Sequence, residues 1–479
     1  MIRLLLFSLV GLTSFFGAWG QDMPRVLNLQ ECIDIAIENN LTVRRGELNL
    51  ETAKINLTQS RAAQLPSANL SGNAGANFGR SIDPTTNQFI TQQINAAGFG
   101  GSSGLVLFNG FQLTNTVRQN RSNVESTEFD LERIKNDVTL DIITFYLTVI
   151  FNRELVGNAQ FQLQSSQEQL ARTQKLVASG ALARTNELEL ISQVASNEVN
   201  LIVAQNNLNQ ALLVLKQAML MPAGEIIDIM VPEITPADRG MESLSVQEVF
   251  DRAQETQPGI KSADLGIRSA RMGVKVANGG LMPSLSFGAS FQTNYSGYFS
   301  ERFVQDPALA PVSFATGFVT DDGRSVIGFR PDGSIQPFGL YDQFNENLSE
   351  RIGFSLSVPI FNGLRARSNV QRSRIMLQQA EITAIEQRNS LRQQIETAFN
   401  DATAASKMFA ASSRQVEALE ETFRAIENQY NLGAANFTEY QVASNNLFRA
   451  KSDWVRAKYD YVFKLKILDF YQGNPLTFE

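Results

Sequence analysis

The sequence contains no histidine and only one cysteine, Cys32. Without histidine, the chain lacks the side chain that proteins use most often as a general base and as a metal ligand. A single cysteine cannot form an intrachain disulfide, and the helix-like stretch LQECIDIAIENN around Cys32 indicates a small core residue. We therefore expect no enzyme, no catalytic residue, no metal site and no cofactor.

Long apolar runs are also missing after the N-terminus. The chain begins with a basic Arg3, an apolar run at 4–10, and small residues at Ala18 and Gly20. These are the three parts of a secretory signal peptide, which we predict for residues 1–20, with an uncleaved membrane anchor as the alternative. No later segment has the apolar length of a spanning helix, so any part that enters a membrane must do so as strands.

Basic side chains do not dominate the composition. The chain has 41 lysine and arginine residues against 48 aspartate and glutamate residues, a net charge of −7. Nucleic-acid-binding domains normally carry a basic excess, so nucleic acid is not expected as a partner. The glycine-rich stretch GFGGSSG at 98–104 lacks the spacing of a dinucleotide fingerprint and the lysine of a phosphate loop. A strand of small residues explains it better.

What the sequence does contain is an internal duplication. The stretch LNLQECIDIAIE resembles LSVQEVFDRAQE further on, and the triplet Phe-Asn-Gly occurs in both GLVLFNGF and SVPIFNGL. The aligned pairs of segments are 27–70 with 244–287 and 108–222 with 361–475. We therefore predict a first structural repeat at 21–240 and a second at 241–479, in the same order of elements.

The second repeat is longer than the first, and its extra residues must fall between Phe287 and Phe361. This interval holds the stretch DDGRSVIGFRPDGS, whose glycine, proline and aspartate content predicts a loop. We place the longer loop at about 297–345. Each repeat otherwise predicts a short helix, a strand, a loop, a strand, a very long helix, a turn and a medium helix.

The long helix is indicated by residues 112–179, which contain no proline and would extend roughly 100 Å at about 1.5 Å per residue. Apolar or small residues recur there every seven positions, and the second copy repeats the register. This heptad pattern predicts a coiled-coil seam. Its members are Val117, Val124, Leu131, Val138 and Phe145, and then Val370, Leu377, Ala384, Leu391 and Ala398.

Glycines mark the predicted ends of the two long helices. Gly180 and Gly433 would adopt the left-handed conformation that often ends a helix. Thr185 and Thr438 follow closely, where a hydroxyl can cap the returning helix. The result is two long helical hairpins with tips near residues 180 and 433.

Four segments alternate apolar and polar residues with a period of two, which predicts strands with one apolar face. They are SANLSGNAGANF, the weaker 96–108, SLSFGASFQTNYS, and a strand that places Ile352, Phe354, Leu356, Val358 and Ile360 on one side. Their length suits outer-membrane strands, although a soluble sheet with one wet face has the same period. Four strands cannot close a membrane barrel, so either the sheet is soluble or several chains build one barrel.

Signal peptide, duplication, paired strands and two glycine-tipped hairpins together resemble the TolC family of outer-membrane efflux proteins. The resemblance covers nearly the whole mature chain, with LPSANLSGNAG, MPSLSFGAS and SVPIFNGLR similar to the family's strand-entry and strand-exit patterns. It implies a mainly α fold with a membrane β-barrel part. Long coiled-coil hairpins would form a periplasmic tunnel, and a homotrimer with four strands per chain would complete a 12-stranded barrel. The loop at about 297–345 would be extracellular.

The resemblance further implies a passive conduit in the outer membrane of a Gram-negative bacterium. A periplasmic adaptor and an inner-membrane pump would deliver the solutes, in efflux or in type I secretion, and outer-membrane lipid would surround the barrel. The alternative is an exported coiled-coil structural or interaction protein with a soluble β-sheet.

The hairpin tips are the predicted functional site, because six tips of a trimer would converge there. We expect adaptor docking at Val177, Gly180, Ala181, Leu432, Gly433 and Ala434, and a periplasmic gate or lumen lining at Asn186, Glu187, Tyr430 and Glu439. Strand–helix junctions are predicted at Asn109, Gly110, Asn362 and Gly363.

Family members often carry an arginine and two aspartates after the second tip glycine, with a tyrosine three residues before it. This chain keeps Tyr430 but has Ala435, Glu439 and Val442 at the other three positions. A gate latched by the family's salt bridges is therefore not expected, and closure should depend on packing and on a hydrogen bond from Tyr430.

Overall fold

The computed structural model describes residues 25–82, 87–91, 93–231 and 245–474. The predicted signal peptide at 1–20 lies outside the described residues, as does most of the segment that links the two repeats. The chain divides into two compact units. One comprises the described parts of Met1–Ala53, Val124–Gly266 and Ala380–Glu479, and the other those of Lys54–Asn123 and Ile267–Gln379.

The first half of the chain alternates helices and strands before its long hairpin. Its longest element, α3, has 67 residues, and the returning helix α4 has 35. The elements are β1 Arg25–Leu27, α1 Leu29–Asn39, α2 Leu41–Ala62, β2 Ser67–Asn77, β3 Arg80–Ile82, β4 Phe89–Thr91, β5 Ile94–Asn109, α3 Gln112–Ala178, α4 Arg184–Ala218 and β6 Ile227–Ile229.

The second half repeats this order with an insertion between its two main strands. Its long helix α8 and returning helix α9 have the same lengths as their counterparts, 67 and 35 residues. The elements are α5 Val246–Thr256, α6 Pro258–Gly279, β7 Ser284–Ser296, β8 Glu301–Gln305, β9 Val312–Val319, β10 Ser325–Arg330, β11 Gly333–Pro337, α7 Leu340–Glu346, β12 Ser349–Ser357, α8 Arg365–Asn431 and α9 Phe437–Tyr471.

The prediction of a single short helix at the start of each repeat is wrong, because two helices occupy that place. In the first repeat, Asn40 has an extended backbone (φ −66°, ψ 122°) that ends α1, and its side chain accepts a hydrogen bond from the Thr42 N–H at 2.8 Å. In the second repeat, Pro258 opens α6 directly after α5. Proline suits the first position of a helix because its missing N–H would have no partner there.

The prediction of a loop for DDGRSVIGFRPDGS is also wrong, because most of this stretch is strand. β10 pairs antiparallel with β9, and β11 pairs antiparallel with β8. The Asp306 N–H donates to the Asp332 carbonyl at 3.0 Å, between the two paired regions. The turn between β9 and β10 contains Gly323, which has a φ of 78°.

A buried glutamine fastens this insertion to the end of β7. The Gln343 side chain, on α7, is fully buried. Its amide nitrogen lies 3.1, 2.8 and 2.9 Å from the carbonyl oxygens of Ser296, Phe299 and Phe338, and its oxygen accepts the Ser296 N–H at 2.9 Å. A buried amide is stable only when its donors and acceptors are satisfied, so these bonds fix the base of the insertion.

The larger unit has its main hydrophobic core where the N-terminal elements meet α3 and α4. β1 pairs in parallel with β6, and Tyr146 on α3 donates from its hydroxyl to the Met230 carbonyl. Cys32 is fully buried in this core, as the sequence predicted, and burial raises the pKa of its thiol to about 12. Other members of the cluster are Leu27, Ile33, Ile142, Ile143, Ile150, Leu215, Met219 and Ile229.

The predicted heptad seam is confirmed more fully in the second copy than in the first. On α8, Val370, Ala384, Leu391 and Ala398 are buried. On α3 only Val124 of the five heptad positions is buried, and the others are half-buried. Burial on α3 is instead concentrated around residues 142–150, where the helix meets the N-terminal core.

The smaller unit contains the four predicted strands as one antiparallel sheet in the order β12-β7-β5-β2. β7 has the predicted bounds of SLSFGASFQTNYS, and β2 ends at Asn77, one residue before the end of the predicted SANLSGNAGANF. β5 carries a bulge between Val106 and Phe108. β12 ends at Ser357, so the predicted continuation through Val358 and Ile360 is wrong.

None of the helices in the described part of the chain is long and apolar enough to cross a membrane.

The burial of Leu215 in the core of the larger unit allows a prediction about the stability of the protein. Replacing the fully buried Leu215 by Ala should lower the free energy of unfolding by about 2–5 kcal/mol, because the truncation leaves a cavity. Leu213, two residues away and 44% exposed, is the matched control, and its change to Ala should cost about 0.5 kcal/mol or less. Urea unfolding followed by circular dichroism gives both values. Equal losses would contradict the placement of this core.

Candidate functional site

The four-stranded sheet has two chemically different faces. Residues paired directly across an antiparallel ladder point to the same face. Phe354 pairs with Phe287, which pairs with Leu105, and the two phenylalanine rings are 5.2 Å apart. One residue further along β12, Ser355 pairs with Ser286 on the opposite face. The sheet therefore has one mainly apolar face and one face on which serine, asparagine, glutamine and glycine predominate.

The apolar face is exposed in the single chain. Ile352 is 77% exposed, Phe354 72% and Leu70 72%. Nothing within the described chain covers these side chains, although a soluble monomer rarely leaves a contiguous apolar patch of this kind open. The face therefore requires a non-aqueous neighbour.

Both edges of this sheet are open among the described residues. β2 pairs only with β5, and β12 pairs only with β7. An open edge presents unpaired N–H and C=O groups, which pair readily with another strand.

Two equivalent joints connect the sheet to the long helices. In the first, Gly110 and Phe111 have φ values of 65° and 62°, and in the second Gly363 and Leu364 have 63° and 64°. The preceding asparagine accepts a hydrogen bond from the helix in each joint. Asn109 accepts it from the Leu113 N–H and Asn362 from the Ala366 N–H, both at 3.4 Å.

These geometries explain why the triplet Phe-Asn-Gly occurs twice. At Gly110 a β-carbon would stand 2.5 Å from the Gly279 carbonyl oxygen, so no larger residue fits there. Sequence reasoning missed the left-handed conformation of Phe111 and Leu364, since bulky residues rarely adopt it.

The two hairpin tips share one turn geometry. Gly180 and Gly433 have φ values of 78° and 76°, which confirms the predicted left-handed ends. In the first tip, Gly180 donates to the Val177 carbonyl at 3.0 Å and Ala181 donates to the Leu176 carbonyl at 2.8 Å. This pair of bonds is a Schellman motif.

The second tip repeats the motif, with N–H groups of Gly433 and Ala434 donating to the carbonyls of Tyr430 and Gln429 at 3.1 and 2.8 Å. Leu432, at its apex, is 85% exposed. An apolar side chain with that exposure at a hairpin apex is available to a partner.

The predicted threonine caps are wrong, because Thr185 and Thr438 are each the second residue of their helix. A side-chain cap must come from the residue before the first helical one. At the second tip this residue is Asn436, which accepts the Glu439 N–H at 2.9 Å while the Glu439 carboxylate accepts the Asn436 N–H at 3.2 Å. At the first tip the residue is Ala183, which makes no such bond.

The predicted gate residues each make local contacts within their own hairpin. Glu439 is engaged in its capping box, and Tyr430 stacks on Tyr440 with ring centroids 5.0 Å apart. No hydrogen bond from the Tyr430 hydroxyl occurs within the described ranges. Asn186 and Glu187 are half-buried in the first turn of α4, where the Asn186 N–H donates to the Ala183 carbonyl at 3.1 Å.

The two uncharged residues Ala435 and Val442 have different surroundings. Ala435 is 9% exposed and therefore lies in a packed site, whereas Val442 is 54% exposed. Salt bridges at these positions are absent because neither residue is charged.

Sequence reasoning missed two residues that join the hairpins near their tips. Arg172, on α3, donates to the Asn431 side chain at 2.5 Å. Tyr440, on α9, is buried and hydrogen bonds to the Ser165 side chain. Burial raises the pKa of the Tyr440 hydroxyl, with the bond to Ser165 acting in the opposite direction. The heptad register of α3 could have indicated such pairs only if the facing helix had been known.

Within the residues that the structure describes, no group of carboxylate or cysteine side chains could hold a metal ion.

Comparison with known proteins identifies the family of this chain. The sequence model of the outer membrane efflux protein family matches residues 32–219 and 249–474. Outer membrane protein TolC of Escherichia coli (strain K12) is 21% identical over 438 residues, which cover 91% of this chain and 80% of the relative. Outer membrane efflux protein BepC of Brucella suis biovar 1 (strain 1330) is 19% identical over 428 residues, 89% of this chain and 81% of the relative.

Solved structures share the fold at low sequence identity. The structure of CusC, described in terms of transmembrane channel formation, has a TM-score of 0.72 at 16% identity and covers 93% of this chain and 92% of that one. The outer membrane protein VceC of Vibrio cholerae has a TM-score of 0.71 at 15% identity, with coverage of 94% and 97%.

This chain belongs to the outer membrane efflux protein family. The predicted fold class, function class and outer-membrane location are thereby confirmed. The family consists of channel proteins rather than enzymes.

The geometry of the second tip predicts that alanine substitutions at Asn436 and Thr438 will have unequal effects on local stability. Asn436→Ala should lower the free energy of local opening at the start of α9 by about 1 kcal/mol, because the helix loses its cap. Thr438→Ala, the control, should leave it unchanged. Hydrogen exchange of the peptide that spans residues 434–442 measures both. A larger effect for Thr438→Ala would contradict the assigned cap.

Proposed function

We propose that this chain is the outer-membrane exit duct of a tripartite efflux or type I secretion assembly. Three copies would place their four-stranded sheets edge to edge and close a 12-stranded barrel. The observation that carries this proposal is the combination of an exposed apolar face with two open edges in the same sheet. In lipid, every backbone group must be paired, and only a closed barrel pairs all the groups of a sheet.

The orientation of the faces follows from the same requirement. The apolar face of Phe354, Ile352 and Leu70 would contact outer-membrane lipid, and the polar face would line a water-filled lumen. The protein would act as a passive conduit, since an inner-membrane pump supplies the energy and a periplasmic adaptor connects the two membrane proteins.

We assign adaptor docking to the hairpin tips, around Val177, Gly180 and Ala181 in the first and Leu432, Gly433 and Ala434 in the second. Leu432 supports this assignment because an exposed leucine at a rigid turn can enter an apolar groove of a partner with little loss of conformational freedom. Asn186, Glu187, Tyr430 and Glu439 would form the polar lining near the closed end. The Tyr430–Tyr440 stack supports closure by packing.

Phe354 and Ser355 give the sharpest test of the lipid-facing side, because they are adjacent on β12 and point to opposite faces. Phe354→Arg should destabilise the protein in a bilayer by about 2–4 kcal/mol if it lies near the bilayer midplane. Ser355→Arg should be tolerated because its side chain would enter the lumen. Folding into lipid vesicles, followed by heat-modifiable gel migration, measures the difference. Similar behaviour of both variants would contradict the assignment of the faces.

Leu432 tests the docking surface. Leu432→Asp should strongly reduce recovery of the adaptor after chemical crosslinking of intact cells of the source bacterium, because a carboxylate replaces the exposed apolar contact. Leu48→Asp is the control, since Leu48 is also an exposed leucine, 49% accessible, on α2. The adaptor is identified and quantified by mass spectrometry of the crosslinked product. Undiminished recovery with Leu432→Asp would remove the tip apex from the docking surface.

A further inference from the structure

The four-stranded sheet contains only two side chains with a formal charge, Glu350 and Arg351, and all its residues are described. They are neighbours on β12 and therefore point to opposite faces. Glu350 pairs with Phe291 on the apolar face. Arg351 pairs with Ser290 on the polar face. The two faces thus differ in charge as well as in polarity.

Arg351 lies in a row of uncharged polar residues that crosses the whole sheet. Ser290 pairs with Ser102, and Ser102 pairs with Asn69. The neighbouring rows on the same face contain Gly353, Gly288, Gly104 and Ser67 on one side and Ser349, Gln292, Gly100 and Ser71 on the other. No carboxylate shares this face of the sheet, so the exposed guanidinium has no counter-charge there.

The helices that join this sheet add further positive charge. β2 and β7 begin at the same end of the sheet at which β5 and β12 finish, and α2, α6, α3 and α8 connect there. Within this unit, the helical segments 54–62, 112–123, 267–279 and 365–379 contain lysine and arginine but no aspartate or glutamate. Four arginines lie in the first turns of α8 alone, at Arg365, Arg367, Arg372 and Arg374. Positive charges close to one another add up to an electrostatic field, which acts on charged solutes before they contact the protein.

The carboxylates of this unit are found mainly at the other end of the strands, in the insertion. Glu346 forms a salt bridge with Arg302, and Asp322 interacts with Thr320 and Arg324. The charges of Glu346 and Asp322 are partly neutralised by these partners. Both carboxylates lie in the insertion, at the end of the sheet opposite to the one where the helices connect.

We propose that Arg351 determines the charge preference of the conduit and that anionic solutes are its favoured class. This inference rests on the proposed trimeric channel with the polar sheet face lining the lumen. Three copies would place three guanidinium groups, each with a formal positive charge, at one level of the lumen.

The experiment measures reversal potentials of the full chain in planar bilayers under a potassium chloride gradient. Salt near 0.1 M is required, because the screening length is about 10 Å there and only about 3 Å at 1 M. Wild type should be more permeable to chloride than to potassium. Arg351→Gln should lower the chloride-to-potassium permeability ratio severalfold, and Arg351→Glu should invert it.

Two control variants separate the charge effect from a change in folding. Arg351→Lys keeps the charge and should retain the wild-type ratio. Glu350→Gln changes the neighbouring residue on the apolar face and should leave the ratio unchanged. Channels of normal conductance with the same ratio in wild type and Arg351→Glu would overturn the inference and leave the proposed channel standing. A wild-type protein that forms no channels at all would overturn both.

Discussion

The unpaired backbone of one four-stranded sheet is the constraint on which the rest of this structure depends. β2 and β12 each have one described partner strand, and the apolar face between them is exposed. A bilayer does not tolerate unpaired N–H and C=O groups, because no water is present to satisfy them. In the proposed assembly, the sheet is complete only when other copies of the chain pair with both of its edges. Assembly, lumen and lipid contact all follow from this pairing.

The long helices, unlike the sheet, need no partner for their backbone groups. A helix satisfies its backbone internally, so a wall of helices can extend far without adding open edges. Duplication supplies two equal hairpins, with helices of 67 and 35 residues in each. Left-handed residues occur where the chain must change direction, at Gly110, Gly180, Gly363 and Gly433. The same local chemistry is used twice because each repeat contains the same joint and the same tip.

Sequence reasoning succeeded where one physical signal acted alone. The alternation in SLSFGASFQTNYS predicted the bounds of β7, and the glycine at position 180 predicted the end of α3 to within two residues. It failed where neighbouring contacts decide the outcome. The turn-rich composition of the insertion predicted a loop. The structure instead has strands there, because their pairing depends on residues far apart in sequence. Thr438 was predicted as the cap of α9 because the first helical residue was unknown, whereas the cap is Asn436, with Glu439 completing the capping box.

The central claim, that several copies complete the sheet, can be tested by disulfide scanning between its edges. Cys32 is the only native cysteine and is changed to serine, after which one cysteine is placed on β2 and one on β12, at each combination of polar-face positions. The account predicts that matched positions give covalent trimers on non-reducing gels of membrane preparations. Disulfides formed only within single chains, or monomers at every combination, would contradict it.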